Sequence, residues 1–170
     1  MKKLLFAAMA LFAFSAVQAQ KSAVNGKGVG GYIELGHVFD CNDVLIGGYF
    51  PRPHRIELTS SCGYHILPYL YAGAGVGASY FYPNDEVYLP VYGNVRGTLP
   101  LRKNMSLFVD GKVGYSFDLT GRGLSGMYWT PSIGFGIERY YISVGYVAQY
   151  QSCWDWWCMN GISLRLGIRL

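Results

Sequence analysis

The sequence predicts an all-β chain closed into an eight-stranded antiparallel transmembrane up-and-down barrel, with short periplasmic turns and longer outer loops. Three observations carry that expectation. The last nine residues alternate without a break, Ile162, Leu164, Leu166, Ile168 and Leu170 against Ser163, Arg165, Gly167 and Arg169. A period of two puts one set on each face of a strand. The chain also opens with the pattern of a secretory signal: Lys2 and Lys3, an apolar stretch from Leu4 to Val17, and Val17-Gln18-Ala19 as a small-residue cleavage site. That stretch is too short to span a bilayer as a helix. Finally, hydrophobic residues make up 51% of the chain and charged ones only 14%, with 23 Gly and 15 Tyr. Glycine recurs too often for helices, and aromatic residues belong at the two interfaces of a membrane barrel.

The expected organisation is therefore a signal peptide over 1–19 and one barrel domain over 20–170. Position 20 is Gln and not Cys, which speaks against a lipid anchor at a new N-terminus. Without Lys2 and Lys3 the bases fall from 14 to 12 against 10 acids, a net charge of about +2. That is too small to point to nucleic acid.

Alternation and breakers define the strands in order. The first runs over Gly30–Phe39, with Ile33 and Leu35 opposing Tyr32, Glu34 and Gly36. The second covers Arg55–His65. The third, Tyr69–Tyr82, sets Leu70, Ala72, Ala74, Val76 and Ala78 against Tyr71, Gly73, Gly75, Gly77 and Ser79. In the fourth, Tyr88–Leu99, Leu89, Val91, Val95 and Leu99 oppose Tyr92, Asn94, Arg96 and Thr98. The remaining four are Ser106–Asp118, Met127–Glu138, Tyr140–Tyr150 and Gly161–Leu170. Three connections are tight, at Ile66-Leu67-Pro68, Leu101–Met105 and Arg139; the others are longer and polar or glycine-rich. Short turns on one side and longer loops on the other match a membrane barrel with both termini in the periplasm. Pro90 and Pro131 fall inside strands, where a bulge or an early end to pairing is expected.

In hydrocarbon every backbone polar group must be paired, so the sheet must close. Eight strands leave an interior just wide enough for side chains to fill. The expected inward charges are Glu34, Glu57, Asp110 and Glu138 against Arg96, Lys112, Arg165 and Arg169. Equal numbers of each sign are what a packed, self-neutralising interior requires. Conductance is accordingly expected to be small or absent. His37 is expected on the outward face.

The chain resembles the small outer-membrane β-barrel domain family, the exported eight-stranded barrels similar to that of outer-membrane protein A. The residues carrying the resemblance are Ser61-Cys62-Gly63-Tyr64, Pro68-Tyr69 and Gly73-Ala74-Gly75-Val76-Gly77. They continue through Phe108-Val109-Asp110, Gly114-Tyr115-Ser116, Pro131-Ser132-Ile133-Gly134 and Gly161-Ile162-Ser163-Leu164-Arg165-Leu166-Gly167. The resemblance covers the mature chain. It implies location in the bacterial outer membrane, insertion by the outer-membrane assembly machinery, and contact with outer-membrane lipid and lipopolysaccharide. A monomer is expected.

Four cysteines suit an oxidising compartment. If Tyr150 pairs with Gly161, Cys153 faces Cys158, and a disulfide would close the tip Trp154-Asp155-Trp156-Trp157; two free thiols are the alternative for this spacing. That tip is the leading candidate for surface contact, by stacking on a sugar or entering a neighbouring surface; an aromatic belt anchoring the loop is the plainer alternative. Cys41 and Cys62 do not face each other if the first hairpin is regular, and their pairing is left open. The run Arg52-Pro53-His54-Arg55 is a candidate to touch lipopolysaccharide phosphates, although basic rim residues are ordinary in this setting and identify no substrate. No metal or cofactor is implied, and the spacing of Gly73, Gly75 and Gly77 does not fit a nucleotide-binding turn. Some eight-stranded barrels add or remove acyl chains on lipid A, and one deacylase of this size uses a late His-x-Ser pair. Here His37, His54 and His65 lie early, and none is followed by Ser two residues on. The functional expectation is a non-enzymatic barrel with a plugged polar interior, acting structurally or through its loops. The alternatives are a lipid-modifying outer-membrane enzyme and a soluble lipocalin-like periplasmic carrier.

Overall fold

Each predicted alternation becomes one strand of a closed sheet. The computed structural model describes residues 28–40, 54–82, 85–102, 104–120, 125–151 and 158–170. The expected signal peptide lies outside them. The strands are β1 (Gly28–Asp40), β2 (His54–Leu67), β3 (Leu70–Phe81), β4 (Glu86–Arg102), β5 (Met105–Asp118), β6 (Gly126–Ile137), β7 (Tyr140–Gln151) and β8 (Cys158–Arg169). Every strand pairs antiparallel with its sequence neighbours, and β1 pairs with β8 from Tyr32↔Arg169 to Asp40↔Gly161. No edge is left unpaired, which is the condition for placing a sheet in lipid.

The two faces separate as the alternation requires. Along β8, Gly161, Ser163 and Arg165 are buried while Ile162, Leu164 and Leu166 are exposed. Leu166 is 61% exposed, Ile133 59% and Val109 61%, around the whole circumference. Inside lie charged groups, hydroxyls and tyrosines. The apolar-out, polar-in arrangement inverts a soluble barrel and matches a transmembrane one.

The prolines interrupt the ladder without shifting its register. Pro90 stays paired with Ser116 on β5, and Pro131 with Gly111. On their other sides the β3–β4 ladder passes from Val76↔Val91 to Ser79↔Tyr88, and the β6–β7 ladder from Trp129↔Ala148 to Ser132↔Gly145. The register is the same before and after each gap, so the expected bulge or early end is corrected. An antiparallel residue directs its N–H to one neighbour only, so the missing donor costs pairing on that side alone. The register shifts fall beside the turns, between His65 and Leu67 and between Pro100 and Arg102.

The last hairpin corrects a second expectation. Tyr150 is opposite Cys158, and Gly161 is opposite Val147. Directly opposed residues share a face of the sheet, whereas Tyr150 is exposed outside and Gly161 buried inside. The pairing of Tyr150 with Gly161 that aligned Cys153 with Cys158 is therefore excluded. Cys153, Trp154, Asp155, Trp156 and Trp157 lie outside the described residues, and for Cys158 only the backbone position is described.

Candidate functional site

The interior is built in layers of inward-facing side chains drawn from several strands. Nearest the short-turn end, Tyr32, Tyr71, Phe108 and Tyr141 form an aromatic layer. Tyr32 meets Tyr71 edge-on at 4.8 Å between centroids, and Phe108 meets Tyr141 edge-on at 5.2 Å. Glycines opposite make room for the rings: a Cβ on Gly134 would fall on Phe108, and one on Gly167 on Tyr141. Gly75 gives the same clearance to Tyr92, with 2.6 Å between an added Cβ and the ring. The GxGxG run is thus an interior packing feature in β3.

Above the aromatic layer lies the first charge cluster. Arg96 donates from Nη2 to Glu34 Oε1 at 2.7 Å and from Nε to Asp110 Oδ1 at 3.2 Å. Lys112 Nζ bonds to Glu34, and lies 3.9 Å from Asp110 Oδ2. Tyr141 OH donates to Glu34 Oε1 at 2.8 Å, Thr59 Oγ1 donates to Glu34 Oε2 at 3.3 Å, and Asn94 donates to Asp110. The Arg96 guanidinium also lies over the rings of Tyr32, Phe108 and Tyr141, at 3.9, 4.3 and 4.6 Å. Two acids face two bases, so the cluster is neutral. Such charge-assisted bonds in a low dielectric are strong, and breaking one partner leaves a costly orphan.

The second cluster sits toward the long loops. Arg165 Nη2 donates to Glu57 Oε2 at 3.1 Å, and Arg55 Nε approaches Glu57 Oε1 at 3.2 Å. Ser79 Oγ donates to Glu57 Oε1 at 3.3 Å, and Arg55 Nη1 donates to Gln149 Oε1 at 3.2 Å. Arg165 is on β8 and Glu57 on β2, with Gly36 of β1 between them and opposite both. A Cβ on Gly36 would stand 2.7 Å from Arg165 Cγ. The missing side chain is what lets the arginine cross its neighbouring strand.

Of the expected inward charges, Glu34, Glu57, Arg96, Asp110, Lys112 and Arg165 are buried in these two clusters. Two others are elsewhere. Strand β6 ends at Ile137, and Glu138 adopts a left-handed conformation, φ 55°, in an exposed turn where Asn104 Nδ2 donates to it at 3.1 Å. Arg169 keeps the inward parity of β8 but is its last residue, so it stands exposed at the short-turn mouth. Arg55 and Glu86 take their places among the fully buried side chains, leaving four acids and four bases inside among the described residues. Arg55 is therefore not a rim residue for lipopolysaccharide. Both had a legible signal: Arg55 shares its parity with Glu57, and Glu86 with Tyr88, Tyr92 and Arg96. Glu86 Oε2 accepts from Tyr88 OH at 2.9 Å.

Outside the barrel, His37 faces outward as expected, with its ring centroid 4.5 Å from Phe39 and 5.5 Å from His54. Cys62 is an exposed free thiol opposite Gly31. Its Cys41 counterpart lies outside the described residues. No group of three or more metal-ligating side chains occurs among the described residues.

No protein-family model matches the chain, and no curated protein does. Solved structures do. The outer membrane enzyme PagL superposes with a TM-score of 0.61 at 9% identity, covering 81% of this chain and 98% of that one. The N-terminal β-barrel domain of Pseudomonas aeruginosa OprF superposes with a TM-score of 0.50 at 10% identity, covering 83% and 97%. At such identities the likeness is one of fold and carries no activity with it. Closure, strand order, apolar exterior and structural neighbours agree: this chain has the eight-stranded closed antiparallel fold of the outer-membrane β-barrels.

Proposed function

We propose that the protein is an integral outer-membrane barrel without enzymatic activity, whose filled interior makes it a rigid holder for its outer loops. Its role is envelope integrity or surface contact through those loops. The observation that carries this reading is the pairing of an apolar exterior with a charge-balanced interior. In water such an exterior would form a contiguous apolar surface well beyond the few hundred Å² a soluble monomer tolerates. A lipocalin-like carrier would need the opposite arrangement, with its apolar residues lining the cavity.

In this reading the short turns and both strand termini face the periplasm, the long loops face outward, and residues 1–19 are removed on export. Lipid and lipopolysaccharide surround the wall, and the assembly machinery inserts it as a monomer. The aromatic layer and the two ion-pair clusters occupy the lumen, so no steady conductance is expected. What supports the non-enzymatic reading is the setting of His37, at the long-loop end of the wall where a lipid-modifying enzyme would work. Its neighbours across the ladders are Ile56 and Leu164, and the adjacent rings are Phe39 and His54. None of these carries a hydroxyl nucleophile for acyl transfer.

The test begins with urea-washed outer membranes, comparing boiled and unboiled samples on a denaturing gel. A urea-resistant band that shifts only on boiling is expected. Release into the soluble fraction would overturn the membrane reading. Expression followed by mass analysis of lipid A should leave acylation unchanged, and a gained or lost acyl chain would replace the proposal with the enzyme reading.

A further inference from the structure

A cleft of about 30 Å³ opens at the short-turn mouth, bordering the first charge cluster at Arg96. Tyr32 and Tyr141 form its aromatic wall, Arg96 its floor, and Glu138, Arg139 and Arg169 its rim. The charge of Arg96 is met from below by Glu34 and Asp110. Glu138 accepts a hydrogen bond from Asn104 and keeps its negative charge, so the rim sets two cations against one anion. Arg139 and Arg169 are tied together through their backbones, Arg169 N donating to Arg139 O at 2.7 Å. Among the described residues neither of their side chains has an ion-pair partner. Two cationic forks thus stand at the entrance of a cleft whose deeper charges are already balanced.

We infer that this mouth is a binding site for a small oxyanion, a carboxylate or a phosphate, held between Arg139 and Arg169. A guanidinium matches both groups through paired N–H donors, which an ammonium does not. A water molecule needs roughly 10–15 Å³ of such space, so the cleft has room for the head of a small oxyanion. The rings of Tyr32 and Tyr141 shield the bound group from solvent on one flank, which strengthens each contact. In the periplasmic orientation, which rests on the membrane reading above, the oxyanion comes from an inner-leaflet lipid headgroup or from solution.

The test uses the full mature chain, folded in amine-oxide micelles that carry no phosphate. The side-chain Nε–H resonances of Arg139 and Arg169 are followed while inorganic phosphate or acetate replaces chloride at constant ionic strength. Saturable shifts are expected with both anions. Arg139→Gln and Arg169→Gln should each weaken binding tenfold or more, while the heat-dependent gel mobility stays native. A repeat in nanodiscs separates the sources. Loss of the phosphate response in phosphatidylglycerol but not phosphatidylcholine assigns the site to an anionic headgroup; a response retained in both assigns it to a soluble oxyanion. The inference is overturned if exchanging chloride for phosphate or acetate moves neither resonance, or if each single variant, read at its remaining arginine, binds as tightly as the native protein. Loss of heat-dependent mobility in the native protein would instead count against the barrel reading, so the two failures are distinct.

Discussion

Glu34 and Arg96 sit on strands that share no ladder, β1 and β4, yet their side chains meet at 2.7 Å across the barrel lumen. Each is buried, and each has further partners: Lys112, Thr59 and Tyr141 on Glu34, and Asp110 on Arg96. The pair joins walls of the cylinder three strands apart, which backbone hydrogen bonds between neighbouring strands cannot do.

Replacing only one partner should therefore cost more than replacing both. Arg96→Leu leaves Glu34 with Lys112 as its only cationic partner within hydrogen-bonding reach, and should lower stability by about 3–5 kcal/mol. The double change Glu34→Leu with Arg96→Leu should recover part of that loss. Urea titration of the folded band in micelles reads both. Additive losses, with the double variant losing the sum of the two single variants, would show that the cross-lumen pair is not coupled.

Gly36→Val should break the Arg165–Glu57 contact, because the added carbons occupy the path of Arg165 over β1. Overpacking of this kind costs about 1–3 kcal/mol. Shortening the arginine in the same molecule, Arg165→Ala, should relieve the clash. The readout is the denaturation midpoint of the two single variants and the double variant, which should not be additive.

Leu166→Arg places a cation on the wall opposite Leu35 and Ile142. On the lipid face this costs roughly 2–4 kcal/mol near the bilayer midplane, and assembly into the outer membrane should fail or fall sharply. Normal assembly, judged by the heat-shifted band, would contradict the outward register of β8.

Pro131→Val supplies an N–H where the β6–β7 ladder is interrupted, in a register that already continues on both sides. Stability should be unchanged or rise by up to about 1 kcal/mol. Slower amide exchange is expected opposite the substitution, around Tyr146. A destabilised protein would mean that the gap accommodates a deformation the paired strands need.

What was legible in the chain followed from local rules. Alternation along Ile162–Leu170 and its counterparts gives strand number, span and facing, because the pleat alone sends neighbouring side chains to opposite sides. The sequence thereby determined the all-β class, the apolar exterior, and six members of the interior charge set: Glu34, Glu57, Arg96, Asp110, Lys112 and Arg165. Tertiary structure decided the rest. Whether Glu138 ends a strand or turns out of it depends on where β6 and β7 stop pairing. Whether Tyr150 meets Cys158 or Gly161 depends on a stagger that the loop length leaves free. The partners of Glu34 and Glu57 depend on closure, since only a closed cylinder brings β1 to face β4 across the lumen, and β8 beside β1 within reach of β2. A period of two says which way a side chain points; the register and shear of the whole barrel decide what it meets there.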